Sequence, residues 1–245
     1  MARGPLPDDK RLEALLAALL SDPRYASGAR RFPERLSDDE AAELAEALER
    51  DLNGGVEQRA REAARRRLKI FCSKGCNVCC EEPVIVYLPE ALAIARWLES
   101  PANAAERAWF LDAHRRWRDA LGDAPEHLAD LQADDANRAA YEAAYRAQWQ
   151  RRVMCAFNRD GACTIYPVRP LLCREGHALG TADHCVAGSP IPAQRLTGGP
   201  VEAFMKRANV VLRAAHNALG GEPNRGEMLC ALVARLLEEG RFVER

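Results

Sequence analysis

Eight of the nine cysteines in this 245-residue chain fall in two groups, and thiols so clustered are equipped for metal or redox chemistry. The first group, F-C-S-K-G-C-N-V-C-C, contains Cys72, Cys76, Cys79 and Cys80. The second runs through C-A-F-N-R-D-G-A-C-T-I-Y-P-V-R-P-L-L-C-R and on to D-H-C, with Cys155, Cys163, Cys173 and Cys185. Thiolates are soft ligands that select zinc, copper(I) or iron–sulfur centres. Cys-x-x-Cys spacing lets one turn present two sulfurs to one metal. Cys79 and Cys80 are adjacent, so their side chains diverge by about 100° on a helix or about 180° on a strand. Either one is a bystander, or two centres each draw ligands from both groups. Ligation across the groups would tie distant segments together and couple metal binding to folding. The eight cysteines are therefore the candidate ligands, and their spacing does not separate zinc from an iron–sulfur cluster. Cys230 sits in the apolar helical pattern G-E-M-L-C-A-L-V-A-R-L-L and reads as a small buried hydrophobe.

Other residues nearby carry weaker signals. Arg169 and Arg174 flank the second group and either offset thiolate charge or form surface ion pairs. His177 and His184 are substitute ligands or plain loop residues. His114, His127 and His216 fall in helical patterns and are expected to be partly exposed. Cys72-x-x-x-Cys76-x-x-Cys79 also has the spacing of radical S-adenosylmethionine enzymes, and Gly220-Gly221-Glu222-Pro223 is similar to their adenosylmethionine-binding stretch. A barrel of alternating strands and helices is missing around both, and a two-glycine helix stop accounts for the latter more simply. Cys76-x-x-Cys79 as a thiol redox pair lacks the βαβ context of thioredoxin-like folds.

Taken together, C-x-x-x-C-x-x-C-C followed by C-x7-C-x-I-Y-x-x-R-P-x-x-C-R resembles the CxxCxxCC family, the YkgJ-type cysteine-cluster proteins known as zinc- or iron-chelating domains. The matching positions are Cys72, Cys76, Cys79, Cys80, Cys155, Gly161, Cys163, Ile165, Tyr166, Arg169, Pro170, Cys173 and Arg174. The resemblance spans about residues 70–186 and implies a cofactor class, zinc or iron–sulfur, without a substrate. Flagellin lysine-N-methylases resemble the same family. That implies, as an alternative, an iron–sulfur enzyme such as an S-adenosylmethionine-dependent protein methyltransferase.

The elements that must position these cysteines read as mainly α, with a small cysteine-rich hairpin and loop region. Helices are expected over 8–20, from the Ser37/Glu40 capping-box signature to about Asp51, and over 56–70, with Asn53-Gly54-Gly55 as the break. Pro83–Leu88 reads as a strand, followed by a helix from Pro89 to about Leu98. Helices follow over 102–121 and 137–152, with a polar loop or broken helix between them. Met154–Phe157 and Cys163–Tyr166 flank the turn sequence N-R-D-G and predict a hairpin. A proline-rich loop tract leads to closing helices over 201–218 and 226–239. This divides the chain into an N-terminal helical extension (1–69), a cysteine-cluster domain (70–190) and C-terminal helices (191–245).

Composition sets outer bounds. Hydrophobic residues at 48% and charged residues at 29% are ordinary for a globular protein. A net charge of −1 argues against a basic nucleic-acid footprint, and Arg65-Arg66-Arg67 reads as a solvated face. No run of about 18 apolar residues suggests a membrane span, and the start lacks a signal-peptide core. A cytoplasmic protein is expected, where an odd number of clustered thiols points to metal or redox chemistry rather than disulfides. The partner, protein or small molecule, has no signature. The four tryptophans read as core or interface residues.

Overall fold

The computed structural model describes residues 16–18, 20–21, 36–73, 75–133, 135–176, 178–191, 193–196 and 199–242. Most of the helix expected over 8–20 lies outside them. Ser37 and Glu40 open helix α1 (Asp38–Arg65) as a true capping box. The Ser37 hydroxyl accepts from the Glu40 N–H at 3.2 Å, and the Glu40 carboxylate accepts from the Ser37 N–H at 2.8 Å. The break expected at Asn53-Gly54-Gly55 does not occur, and one rod replaces two helices. A Cβ on Gly55 would lie 3.4 Å from Val201 Cγ2, so the missing side chain lets the rod press closely on a late helix. Each glycine costs about 1 kcal/mol. Burial of Leu44, Leu48 and Leu52, at about 1.5–3 kcal/mol each, outweighs that.

Helix α2 (Leu88–Glu99) is apolar nearly all round and buried from Leu88 to Ala95, as a core helix should be. Pro89 fits its first turn. Helix α3 (Ala104–Leu121) packs on it and buries Phe110, Ala113, Trp117 and Leu121. The tract expected as a loop or broken helix folds as the separate helix α4 (Ala124–Ala133), because Pro125, Leu128 and Ala129 form a buried face within its polar sequence. Helix α5 (Arg138–Gln150) packs against α4. After the short α6 (Leu171–Glu175) come α7 (Gly199–Ala218) and α8 (Leu229–Glu239), both packed on α2. One hydrophobic cluster contains Leu48, Leu92, Phe157 and Leu232, so all three sequence segments meet in a single core.

Helices make up 67% of the described residues and the strands there are two residues each, so the protein is mainly α. Of the strand expected over 83–88 only β1 (Ile85–Val86) forms, because Leu88 already belongs to α2. The predicted hairpin exists as β2 (Asn158–Arg159) and β3 (Ala162–Cys163), tighter to its turn than expected. Asp160 and Gly161 both take positive φ, 53° and 86°, as a two-residue turn of this hand requires. The proline-rich tract pairs β4 (Ala178–Leu179) with β5 (Gln194–Arg195), and β1 pairs with β6 (Glu227–Met228). Among the described residues no helix is long and apolar enough to cross a membrane.

Arg174 is neither a surface residue nor in a surface ion pair. It is 5% exposed, and its guanidinium meets Glu49 of α1, also 5% exposed in its side chain, at 2.7 Å. It also donates to the Asn53 side chain and to the carbonyls of Pro167 and Arg169. Glu90 of α2 accepts the Leu171 N–H at 3.0 Å, where α6 begins. Burial pushes Glu90 up to about 7, against the opposing pull of that N–H. Burial likewise pushes Glu49 up, with Arg174 pulling the other way.

His216 is buried at 2% exposure, contrary to the expected partial exposure, because Gly221 leaves room for its ring. A Cβ on Gly221 would fall 2.4 Å from that ring. Gly220-Gly221 closes α7 as a helix stop, with Gly220 at φ 81° and the Gly221 N–H donating to the His216 carbonyl at 3.0 Å. Nδ1 of His216 accepts the Leu88 N–H at 3.3 Å, and Nε2 lies 3.0 Å from the Glu222 carbonyl. These partners demand a neutral ring with its proton on Nε2. Burial accordingly lowers its pKa, with Glu227 opposing that and Arg225 and Arg235 reinforcing it.

Two measurements test this frame. Glu49→Ala leaves the Arg174 charge buried without its carboxylate, and we expect a loss of about 3–5 kcal/mol in urea unfolding. A loss within the range of an ordinary surface change would show that the pair does not anchor α6. Below the ordinary histidine pKa of 6.5 the unfolded chain takes up a proton that folded His216 resists, so stability falls as pH drops through that value. Glu90 and Glu49, whose raised pKa values add stability as pH falls, act the other way. Between about pH 7 and about pH 5 we therefore expect the wild-type urea midpoint to fall relative to that of His216→Asn, which keeps an acceptor for Leu88.

Candidate metal centre

Local structure brings the cysteines in from five separate stretches. Phe71 donates to the Ala178 carbonyl at 2.8 Å, laying the Cys72 segment beside β4, and the Cys72 sulfur accepts the Ala178 N–H at 3.1 Å. Gly75, at φ 94°, turns the chain so that the Cys76 N–H reaches the Ser73 carbonyl. A single 3-10 turn, Val78–Glu81, carries Cys79 and Cys80. The Cys80 carbonyl accepts the Cys155 N–H at 2.8 Å, which joins the first group to the chain entering the hairpin. Cys163 ends β3, Cys173 lies in α6, and Cys185 closes the 3-10 turn Ala182–Cys185. Arg59 of α1 clamps this region by donating to the carbonyls of Glu175 and Leu196.

Five of the eight predicted cysteines line one cavity of about 170 Å³: Cys72, Cys76, Cys79, Cys173 and Cys185. Cys80 and Cys155 line a separate small cavity together with Cys230. Cys163 lines neither, although it lies near enough to Cys155 to feel its charge. The neighbours Cys79 and Cys80 thus face different spaces, as divergent adjacent side chains should. Among the described residues no three histidine, cysteine, aspartate or glutamate side chains converge closely enough to hold a metal ion as they stand. The five thiols share a wall without yet meeting at a point.

The electrostatics favour protons on these sulfurs. Cys79 is pushed well up, first by its neighbour Cys80 and then by burial. Burial raises Cys173, and Cys155, Cys79 and Cys163 raise it further. Burial also raises Cys163 to about 11, and it raises Cys185, with Cys72, Cys76 and Cys79 adding to the effect. Cys155 is raised by its hydrogen-bonded neighbour Cys230 and then by burial. Thiols that repel one another's negative charge need a cation to become thiolates together, so this donor set fits a soft metal that displaces protons.

Cations stand round the larger cavity in graded roles. Arg169 lies over the Tyr166 ring at 4.1 Å, and its Nε is buried without a hydrogen-bond partner. Arg195 pairs with Glu82 at 3.0 Å, and Glu82 also accepts from the Tyr145 hydroxyl at 2.9 Å. Both arginines noticed in the sequence line the cavity, and Arg174 is in addition paired with Glu49. His184 packs beside Gly180 rather than lining the cavity, and His177 lies outside the described residues. Sequence reasoning missed Arg195 and Glu82; it read Cys230 correctly as a buried core residue, 3% exposed, but not its place beside Cys155. The first two were ordinary charges in a loop-rich sequence, and Cys230 followed an apolar helical pattern that hid its thiol.

Comparison of the chain with protein-family models, with curated proteins and with solved structures finds no match.

Proposed function

We propose that this chain is a metal-binding protein that holds zinc or an iron–sulfur cluster on the thiolates of the five-cysteine cavity. The observation that carries this reading is the shared wall: cysteines from three stretches, 72–79, 173 and 185, enclose one space. Soft sulfur donors in such density disfavour magnesium or calcium, which take oxygen ligands. Between the two remaining centres, volume favours the cluster. About 170 Å³ is an order of magnitude more than the roughly 10–15 Å³ that one water-sized guest needs.

The same spare volume supports a second reading, an iron–sulfur enzyme such as an S-adenosylmethionine-dependent protein methyltransferase. When bound, a cluster supplies one-electron chemistry or an open iron. The chain's own residues would then orient an anionic group through Arg169, which lines the cavity with its guanidinium over the Tyr166 ring. A reducing compartment such as the cytoplasm suits either reading, since it keeps the thiols available for metal.

Metal and acid-labile sulfide content, with a visible spectrum, of the full chain purified without oxygen tests the proposal. We expect bound metal, lost together with thermal stability in Cys76→Ser and in Cys173→Ser. Brown protein with iron and sulfide supports the cluster, and colourless zinc protein would make the site structural. Variants that keep full metal content and unchanged melting would remove those residues from the centre, and metal-free wild type would end the proposal.

A further inference from the structure

Cys230 stands apart from both cysteine groups in sequence and opens helix α8 in the structure, yet its sulfur lies 3.5 Å from that of Cys155. Both sulfurs border the small cavity of about 20 Å³, and Cys80 borders it too. The thioether residue Met228 completes a sulfur-rich lining drawn from distant parts of the chain. A guest of about 10–15 Å³ fills such a space once, so there is room for a single ion and for nothing larger. Two thiolates bound to one zinc at about 2.3 Å span a tetrahedral edge of about 3.8 Å. The observed 3.5 Å is already close to that edge. A disulfide would need the sulfurs to close to about 2.05 Å, moving a helix start toward a loop.

We propose that Cys155 and Cys230 form the preset edge of a second, mononuclear site for one soft metal ion, zinc or copper(I), with Cys80 as the third thiolate. Cys80 is held at the right place by its own backbone, since its carbonyl accepts the Cys155 N–H at 2.8 Å. Its side chain has to rotate inward, because the three sulfurs do not converge as they stand. The site joins the start of α8 to the cysteine region at the point where the Leu229 N–H also meets the Val84 carbonyl, at 2.8 Å. It gives Cys230 a ligand's role that its apolar surroundings concealed. It shares no cysteine with the larger cavity.

The test is metal content of the full chain after anaerobic reconstitution with zinc in one arm and copper(I) in the other, for wild type, Cys230→Ala and Cys185→Ser. Alanine suits a buried small-residue position, and helical circular dichroism checks that the variant folds. We expect Cys230→Ala to bind about one ion fewer per chain than wild type in at least one arm, while keeping what Cys185→Ser loses. Equal metal content in wild type and Cys230→Ala in both arms overturns the second site. Loss in Cys230→Ala with none in Cys185→Ser leaves this site standing and shows that the larger cavity takes up neither zinc nor copper(I) through Cys185. Should Cys230→Ala not fold, crystals of the reconstituted unaltered chain decide. An anomalous peak at the added metal's edge, within bonding distance of the Cys155 and Cys230 sulfurs, supports the site, and its absence overturns it.

Discussion

A guanidinium with no access to solvent has to be answered from within the protein, and much of this structure follows from how Arg174 is answered. Its carboxylate comes from Glu49 on α1, and the Asn53 side chain and the carbonyls of Pro167 and Arg169 accept from its other N–H groups. Glu90 on the adjoining core helix catches the first N–H of α6. The five-residue helix that bears Cys173 is too short to hold itself. It is fixed because two buried acids on two long helices grip it from below. The cysteine region rests on that grip, and Arg59 repeats it farther along α1. Such pairs gain little net stability over apolar packing, but breaking one partner is costly, so they specify position more than they add strength.

Adjacency of Cys79 and Cys80 imposes a second constraint. Two neighbouring side chains on a tight turn leave in different directions, and the 3-10 turn sends one thiol to each of two cavities. The wall between them is thin, since Cys80 is the main cause of the upward push on Cys79. Charge placed in one space is therefore felt in the other. Neither cavity favours bare thiolates, which gives a cation in either one a direct effect on the sulfurs of its neighbour.

The cysteine groups, the capping box at Ser37 and the N-R-D-G turn were legible because each is a local pattern with a local cause. The two interior glycines of α1 misled for the opposite reason. Their effect depends on Val201, which no window around residue 55 contains. Likewise, α4 looked polar until its small buried face was seen against its neighbours. Arg174 was noticed as a charge beside thiols, but its partner Glu49 lay in a segment taken for a separate extension. His216 gave no sign of burial, since the space for its ring is made by Gly221 beyond the helix end. Which of eight cysteines face one another is a long-range fact of the same kind, and only its outline was readable.

The course of α2 through the core has a consequence for synthesis on the ribosome. This helix is apolar on nearly every side, and although α1 and α3 pack on it early, α7 and α8, which also cover it, come much later in the chain. Strand β1 likewise waits for β6, and Glu49 waits for an arginine 125 residues later. A nascent chain thus carries a partly uncovered apolar helix until α7 and α8 emerge, and one truncated before them carries it permanently. Folding of this kind is late and collective rather than progressive, which makes the unfinished chain a natural client for chaperones.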